Sequence, residues 1–430
     1  MINIRKISNG FVLIFAVAYA IKFFLLSQGD VLNNYPIISP DGFDWYTEGY
    51  YLANSAKLGA FDSLPILRPP FFVLVTAVDS LIGNGFFLSL LYGFCILINY
   101  FSIMWLLENE LSCNEEKYIR YASFPVALCT TIYPINFIKG FLLSDALAVG
   151  LTLLAVTLLI RYKNSKKLSF LGASILMAIA ASMTQTYSLI PYFIISMCII
   201  VDSYAQKKLI DLKVLLGLIS LTLIFLTLTF LWRDNINHND TPSNFNLFKL
   251  SGEMINFYVN TWIYYFWIFI LFALRNLSIA DFYKKRECFY FGCLLTVCVM
   301  GCLCIFYQWP ESRFTYYFWP WFLLAFFIII SKVNSFSMIM LLTVGIIFNS
   351  CISVPNPWGP KLNEVTFNFK KNWAYEFFSA KSVDRHLYDC VNAECPSNTF
   401  LQSSDGYVKS VVGFNLKIRK TLNERGQSVK

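Results

Sequence analysis

The sequence predicts an all-α protein that crosses a membrane many times, and three observations carry that expectation. Residues of the set AVILMFWYC make up 57% of the 430-residue chain and charged residues only 14%, against about 25% charge in a soluble domain. Apolar runs of roughly 20 residues, the length that crosses a bilayer, recur along the chain. Lys and Arg gather in alternate connecting segments, as the positive-inside rule requires. The length would suit two or three soluble domains, but there is too little polar surface here to face water. The same shortage excludes disordered, collagen-like and nucleic-acid-binding classes, so the net charge of +8 reads as membrane orientation. The 42 Phe and 25 Tyr suit a lipid-facing bundle with aromatic belts.

The apolar runs fall at about 7–26, 86–107, 119–137, 141–161, 168–184, 188–202, 214–232, 257–274, 288–307, 316–331 and 336–353, which makes eleven spans. The first lacks a small-residue cleavage site and reads as an anchor. Thr184, Gln185 and Thr186 mark a tight turn between two short spans. Residues 69–83 are apolar but few, open on Pro69-Pro70 and carry Asp79, so they read as a re-entrant or interfacial helix. Parity agrees. With Arg5 and Lys6 inside and 69–83 not spanning, the inside segments hold 16 Lys/Arg, against six in the outside loops before the tail. A spanning 69–83 would move the basic clusters at 161–167, 207–213 and 275–286 outside.

Three outside segments follow: 27–68, 233–256 and a C-terminal tail of 354–430 with a near-soluble composition of 11 Lys/Arg and seven Asp/Glu. Residues 1–353 then form one transmembrane domain and the tail a small lid or interaction domain. Cys288, Cys293, Cys298, Cys302 and Cys304 crowd one span, where free Cys packs as a small hydrophobe. Cys390 and Cys395 lie in the outside tail and can close a short disulfide loop if that space is oxidising. Zinc would need more ligands than the nearby His386 supplies.

Candidate chemistry concentrates on the outside. The first loop reads Asp41-Gly-Phe-Asp44-Trp-Tyr-Thr-Glu48, then Arg68-Pro69-Pro70. From Asp44 to Leu58 the pattern is an amphipathic helix, with Trp45, Leu52 and Ala56 on one stripe and Asp44, Glu48 and the edge of Tyr51 on another. Such a helix can lie on the membrane surface with its carboxylates toward a cavity above the bundle. The plainer reading makes Asp44 a helix cap and Glu48 a solvated charge. Lys139 and Ser144-Asp145-Ala146 come next. There Asp145 reads both as a helix N-cap and as a carboxylate at the mouth of the same cavity. Glu311-Ser312-Arg313-Phe314 forms an outside turn among aromatics. An interfacial arginine often only snorkels, yet Arg68 and Arg313 flank one outer-leaflet entrance, and a guanidinium fork suits phosphate. The two histidines, His238 and His386, give little support to nucleophilic catalysis. No Walker or dinucleotide glycine loop is present.

These pieces, in this order, resemble the GT-C class of membrane glycosyltransferases. The matching residues are Asp41, Asp44 and Glu48, then Arg68-Pro69-Pro70, then Ser144-Asp145-Ala146, then Glu311-Ser312-Arg313-Phe314. The match covers the first 160 residues by motif and the rest by topology. The length, the long first loop and the outer tail are similar to phage-type serotype-converting O-antigen glucosyltransferases of enteric bacteria. Related aminoarabinose and protein mannosyl transferases place adjacent acids in this loop, whereas Asp41 and Asp44 stand apart here. Which of the two acts as base is left open.

The resemblance implies an inverting hexosyltransferase in a bacterial inner membrane, N-terminus cytoplasmic and tail periplasmic. It would move a hexose such as glucose from a polyprenyl-phosphate carrier to a hydroxyl of a lipid-linked or lipopolysaccharide O-antigen glycan. Asp44 or Asp41 would deprotonate the acceptor, with Glu48 and Asp145 nearby. Arg68, Arg313, Lys139 and Glu311 would surround the donor phosphate. No nucleotide is implied, and a divalent metal at the acidic loop stays open. The rivals are an O-antigen flippase or transporter, which should line a central path with charge and often has related halves, and an O-antigen polymerase. Among the predicted span interiors Lys22 is nearly the only charge, and the loop at 233–256 holds just Arg233 and Lys249.

Overall fold

The computed structural model describes residues 4–27, 45, 48–49, 52–53, 69–82, 85–111, 116–137, 144–205, 212–233, 252–276, 288–306, 312–332 and 336–350. These residues are almost entirely helical. In chain order the helices are α1 (Ile4–Ser27), α2 (Pro70–Ile82), α3 (Phe86–Glu110), α4 (Glu116–Phe137), α5 (Asp145–Ser165) and α6 (Leu168–Ser182). After a 3-10 turn at Thr186–Ser188 come α7 (Leu189–Ala205), α8 (Leu212–Arg233), α9 (Gly252–Asn276) and α10 (Cys288–Phe306). A 3-10 turn at Ser312–Tyr317 leads into α11 (Trp319–Ile329), and α12 (Phe336–Ser350) follows.

Among the described residues, five helical stretches are long and apolar enough to cross a membrane: Ile4–Ile21, Phe86–Glu110, Asp145–Ser165, Thr186–Tyr204 and Cys288–Phe306. Shorter apolar helices accompany them. Their outward faces carry large apolar side chains, among them Ile14 on α1, Phe94 on α3, Leu223 on α8 and Leu274 on α9. A band of exposed Leu, Ile and Phe on many helices is an aggregation hazard in water and the expected coat in lipid. The chain is an all-α, multi-pass membrane protein.

Helix α11 is the pillar of the bundle. Its sequence, WPWFLLAFFII, is apolar all round, as a helix enclosed on every side should be, and every residue but Phe322 is buried. It packs against α3, α4 and α10. Two long-range bonds fix its direction: Tyr118 Oη on α4 donates to the carbonyl of Phe327 (2.6 Å), and Trp319 Nε1 donates to the carbonyl of Cys129 (3.0 Å). Helices α4 and α11 are therefore antiparallel.

Helices α1 and α3 are antiparallel as well. Arg5 pairs with Glu108 (2.5 Å) where α1 begins and α3 ends. At the other extreme the rings of Phe24 and Phe86 meet at 5.9 Å. Gly93 allows the close approach, since a side chain there would stand 2.9 Å from the carbonyl oxygen of Ala16. The segment between α1 and α3 therefore leaves and returns at one end of the bundle. Helix α2 lies in that segment, and its 13 residues reach only about 20 Å against a hydrocarbon core of about 30 Å.

The two ends differ chemically. At the end where α1 begins, Asn164 Nδ2 donates to Asn109 Oδ1 (2.6 Å), Lys163 pairs with Asp202 (3.4 Å), and the Arg161 guanidinium lies 4.9 Å from the Trp105 ring centroid. Arg5 and the basic residues Arg161 and Lys163 of α5, which the charge pattern places on one side, thus share one end. The opposite end holds Asp145 and a second, smaller core. There Phe23, Trp45, Phe72, Tyr92, Leu147 and Ala181 pack together, from α1, the first-loop helix, α2, α3, α5 and α6.

Candidate functional site

Of the predicted site residues, Asp145 and Glu48 are described with their side chains, and Arg313 by its backbone in the turn at Ser312–Tyr317. Asp41, Asp44, Arg68, Lys139 and Glu311 lie outside the described residues, as do Cys390, Cys395 and the tail of 354–430.

Asp145 is the first residue of α5, and Ser144 occupies the N-cap without a side-chain capping bond. The N-cap reading of Asp145 is thereby corrected. Its carboxylate faces another element: Tyr317 Oη donates to Oδ1 (2.5 Å) across 172 residues of sequence. With the helix dipole favouring negative charge at this position, the pair is a charge-assisted bond. Nor does Asp145 stand at a mouth, being 1% exposed. Gly150, five residues further along α5, faces Asn99 and Cys95 of α3. Asp145 is therefore level with roughly Tyr92, the seventh residue of α3, about 9 Å below that helix's start.

The neighbouring bonds join this point to the other motifs. Gln185 Nε2 donates to Ser144 Oγ (2.7 Å), which ties the 183–185 turn to the start of α5. The carbonyl of Met183, in the same turn, accepts from the amide of Phe71 (3.0 Å), just after Pro69-Pro70. Pro70 opens α2, where a missing N–H costs nothing, and Phe71 supplies the next free donor. The Phe72 ring then meets Trp45 edge-on at 5.0 Å, and Thr76 Oγ1 donates to the Trp45 carbonyl (2.8 Å). From Asp145 to the first-loop helix the contacts are continuous.

In that loop helix Trp45, Glu48 and Gly49 are all buried, while Leu52 and Ala53 are half-buried. The reading of Glu48 as a solvated charge is corrected: at 5% exposed it is buried, as Trp45 is, while Asp44, Tyr51 and Ala56 of the two expected stripes lie outside the described residues. Gly49 supplies the reason. A Cβ there would fall 2.7 Å from both the Ala77 amide nitrogen and Thr76 Cβ, and closer still to Thr76 Oγ1. With no side chain at 49 the helix sinks onto α2 until its Glu48 flank is covered. Asp79 is buried too, and its Oδ1 accepts from the Leu88 amide (2.9 Å), holding the start of α3.

Sequence reasoning missed the polar and aromatic partners. Tyr187 meets the rings of Phe314 (6.4 Å) and Tyr317 (6.3 Å). Asn99, an amide within a span, donates to Tyr316 Oη (2.7 Å). A lone Asn in an apolar run and the doublet Tyr316-Tyr317 were the available signals. Among the described residues no three His, Cys, Asp or Glu side chains gather as a metal set. No family description, curated protein or solved structure matches the chain.

Proposed function

We propose that the chain is an inverting glycosyltransferase of the inner membrane of a bacterium. It transfers a hexose from a polyprenyl-phosphate carrier to a hydroxyl of a lipid-linked or lipopolysaccharide O-antigen glycan. In this reading eleven helices span, the N-terminus is cytoplasmic, and both the Asp145 end and the tail of 354–430 are periplasmic. One observation supports it above the rest: four separated motifs meet through continuous contacts at one end of the bundle, opposite the basic end. These are the Trp45–Glu48 helix, Pro69-Pro70, Ser144-Asp145 and the Arg313 turn.

The chemistry follows from residue type. Asp44 or Asp41, which precede Trp45 and Glu48 in the sequence, takes the proton of the acceptor hydroxyl. The freed oxygen attacks the anomeric carbon from the face opposite the phosphate, the carbon–oxygen bond to phosphate breaks, and the configuration inverts. A positioned base contributes about 10²–10⁴ in rate. Arg68, Arg313 and Lys139 stabilise charge on the leaving phosphate, an electrostatic contribution that is often the largest. Buried Asp145 organises the floor of the site, since a carboxylate held by Tyr317 is already committed to a donor.

A flippase is disfavoured because the described charged side chains sit at helix ends, where they line no central path. The test is structural analysis of the host surface glycan with and without the gene. Loss of one hexose substituent on deletion supports the transferase. An unmodified glycan that accumulates on the cytoplasmic side points to transport, and a shortened chain of repeats points to polymerisation.

A further inference from the structure

Six consecutive residues around the start of α11 each engage a partner elsewhere in the bundle. The Phe314 ring meets Tyr187. Thr315 Oγ1 accepts from Trp262 Nε1 of α9 (3.2 Å). Tyr316 Oη accepts from Asn99 Nδ2 of α3 (2.7 Å), and Tyr317 Oη donates to Asp145 of α5. The Phe318 ring stands edge-on to Trp262 at 5.6 Å, and Trp319 Nε1 donates to the Cys129 carbonyl of α4 (3.0 Å). Thr315, Tyr316 and Tyr317 are all buried.

A connector between α10 and α11 needs none of this. Three buried hydroxyls in an apolar bundle cost stability unless each is hydrogen-bonded, and Leu or Phe would fill the same space. Three such groups on successive residues, bonded to three different helices, fix both the position and the rotation of the turn. The residue next to this clamp is Arg313, in the same 3-10 turn. A site that recognises a phosphate needs its guanidinium carried on a backbone that does not yield.

We propose that Tyr317, through its bond to Asp145, is a positioning residue that mounts Arg313 for recognition of a lipid-linked phosphate, with the Asn99–Tyr316 bond as the second fastening. This rests on the phosphate role given to Arg313 above. The clamp also explains why Asp145 is buried against the turn: its partner is part of the mount.

The test is a double-mutant cycle on the full chain in detergent, with a polyprenyl phosphate as the titrated ligand. Tyr317→Phe should weaken binding about tenfold, the scale of one lost charge-assisted hydrogen bond. In an Arg313→Ala background it should add almost nothing, because the residue it positions is gone. A role confined to general stability would weaken both backgrounds equally, and that result overturns the proposal, as does unchanged binding in Tyr317→Phe. Unchanged binding in Arg313→Ala alone removes the phosphate role itself and the mount with it. Anionic phospholipid and inorganic phosphate serve as competitors; displacement by either at the concentration of the polyprenyl phosphate also contradicts the assignment. If Tyr317→Phe fails to accumulate in the membrane, Asn99→Ala takes its place in the same cycle, with the same expected non-additivity.

Discussion

Gly49→Ala is the sharpest perturbation of the outer site that needs no knowledge of substrate. The new methyl would fall 2.7 Å from a backbone nitrogen, that of Ala77, and 2.7 Å from Thr76 Cβ. Ordinary contact requires several tenths of an ångström more, and a backbone atom within α2 cannot swing aside. The first-loop helix must lift instead, which weakens the Thr76–Trp45 bond and the Trp45–Phe72 contact. Overpacking of this kind costs about 1–3 kcal/mol, equivalent to a roughly 5- to 150-fold larger undocked population. Limited proteolysis of the purified protein reads that population directly, as cleavage between residues 28 and 69 under conditions where opening is faster than cutting. Cleavage in that loop should accelerate by a factor in this range while the rest of the bundle resists. Adding Thr76→Ala should not rescue the variant, since Ala77 N and the Cβ at position 76 remain. Equal cleavage rates for the parent and Gly49→Ala would refute the docking of the loop helix on α2.

Other outcomes follow from the same geometry. Reporter fusions at Lys166 and Lys285 should report the cytoplasmic side and fusions at Asn239 and Asn398 the periplasmic side; an opposite signal at Lys166 would overturn every loop assignment. Asp44→Asn or Asp41→Asn should abolish glycan modification with normal amounts of protein in the membrane, and intact modification in both would move the base elsewhere, with Asp145 next to be tested. Arg68→Lys should weaken use of the lipid donor and Arg68→Ala should weaken it more, because lysine lacks the bidentate fork; transfer rates across a donor titration check the order. Leu in place of Asn99 should cost about 1–3 kcal/mol in thermal or chemical unfolding by stranding the buried Tyr316 hydroxyl.

The architecture was legible wherever lipid dictates the sequence. The apolar runs read at 86–107 and 288–307 appear as Phe86–Glu110 and Cys288–Phe306, because a span must be apolar for its whole length. Boundaries slipped where a polar residue belongs to the helix. The run read at 141–161 is the helix Asp145–Ser165, which keeps Arg161 and Lys163 at its polar end, where they find Trp105 and Asp202. The run read at 316–331 opens as a 3-10 turn and becomes α-helical only at Trp319, with Pro320 in the first turn. The site was legible as single residues and opaque as a constellation. Asp145 stood out as a carboxylate beside an apolar run, but nothing local announces a hydroxyl 172 residues away. The burial of Glu48 was not legible because hydropathy weighs what a side chain prefers, whereas Gly49 decides how closely the helix can approach.

The central claim is transfer of a sugar from a lipid phosphate at the Asp145 end, and one reconstitution tests it. Purified protein is supplied with a polyprenyl-phosphate hexose and an O-antigen acceptor, and the product is examined for hexose and for the configuration at its anomeric carbon. The account predicts hexose on the acceptor with configuration inverted, donor dependence weakened by Arg313→Ala, and free polyprenyl phosphate released in equal amount. Hexose that stays on its carrier, or a product that retains the donor's configuration, would contradict it.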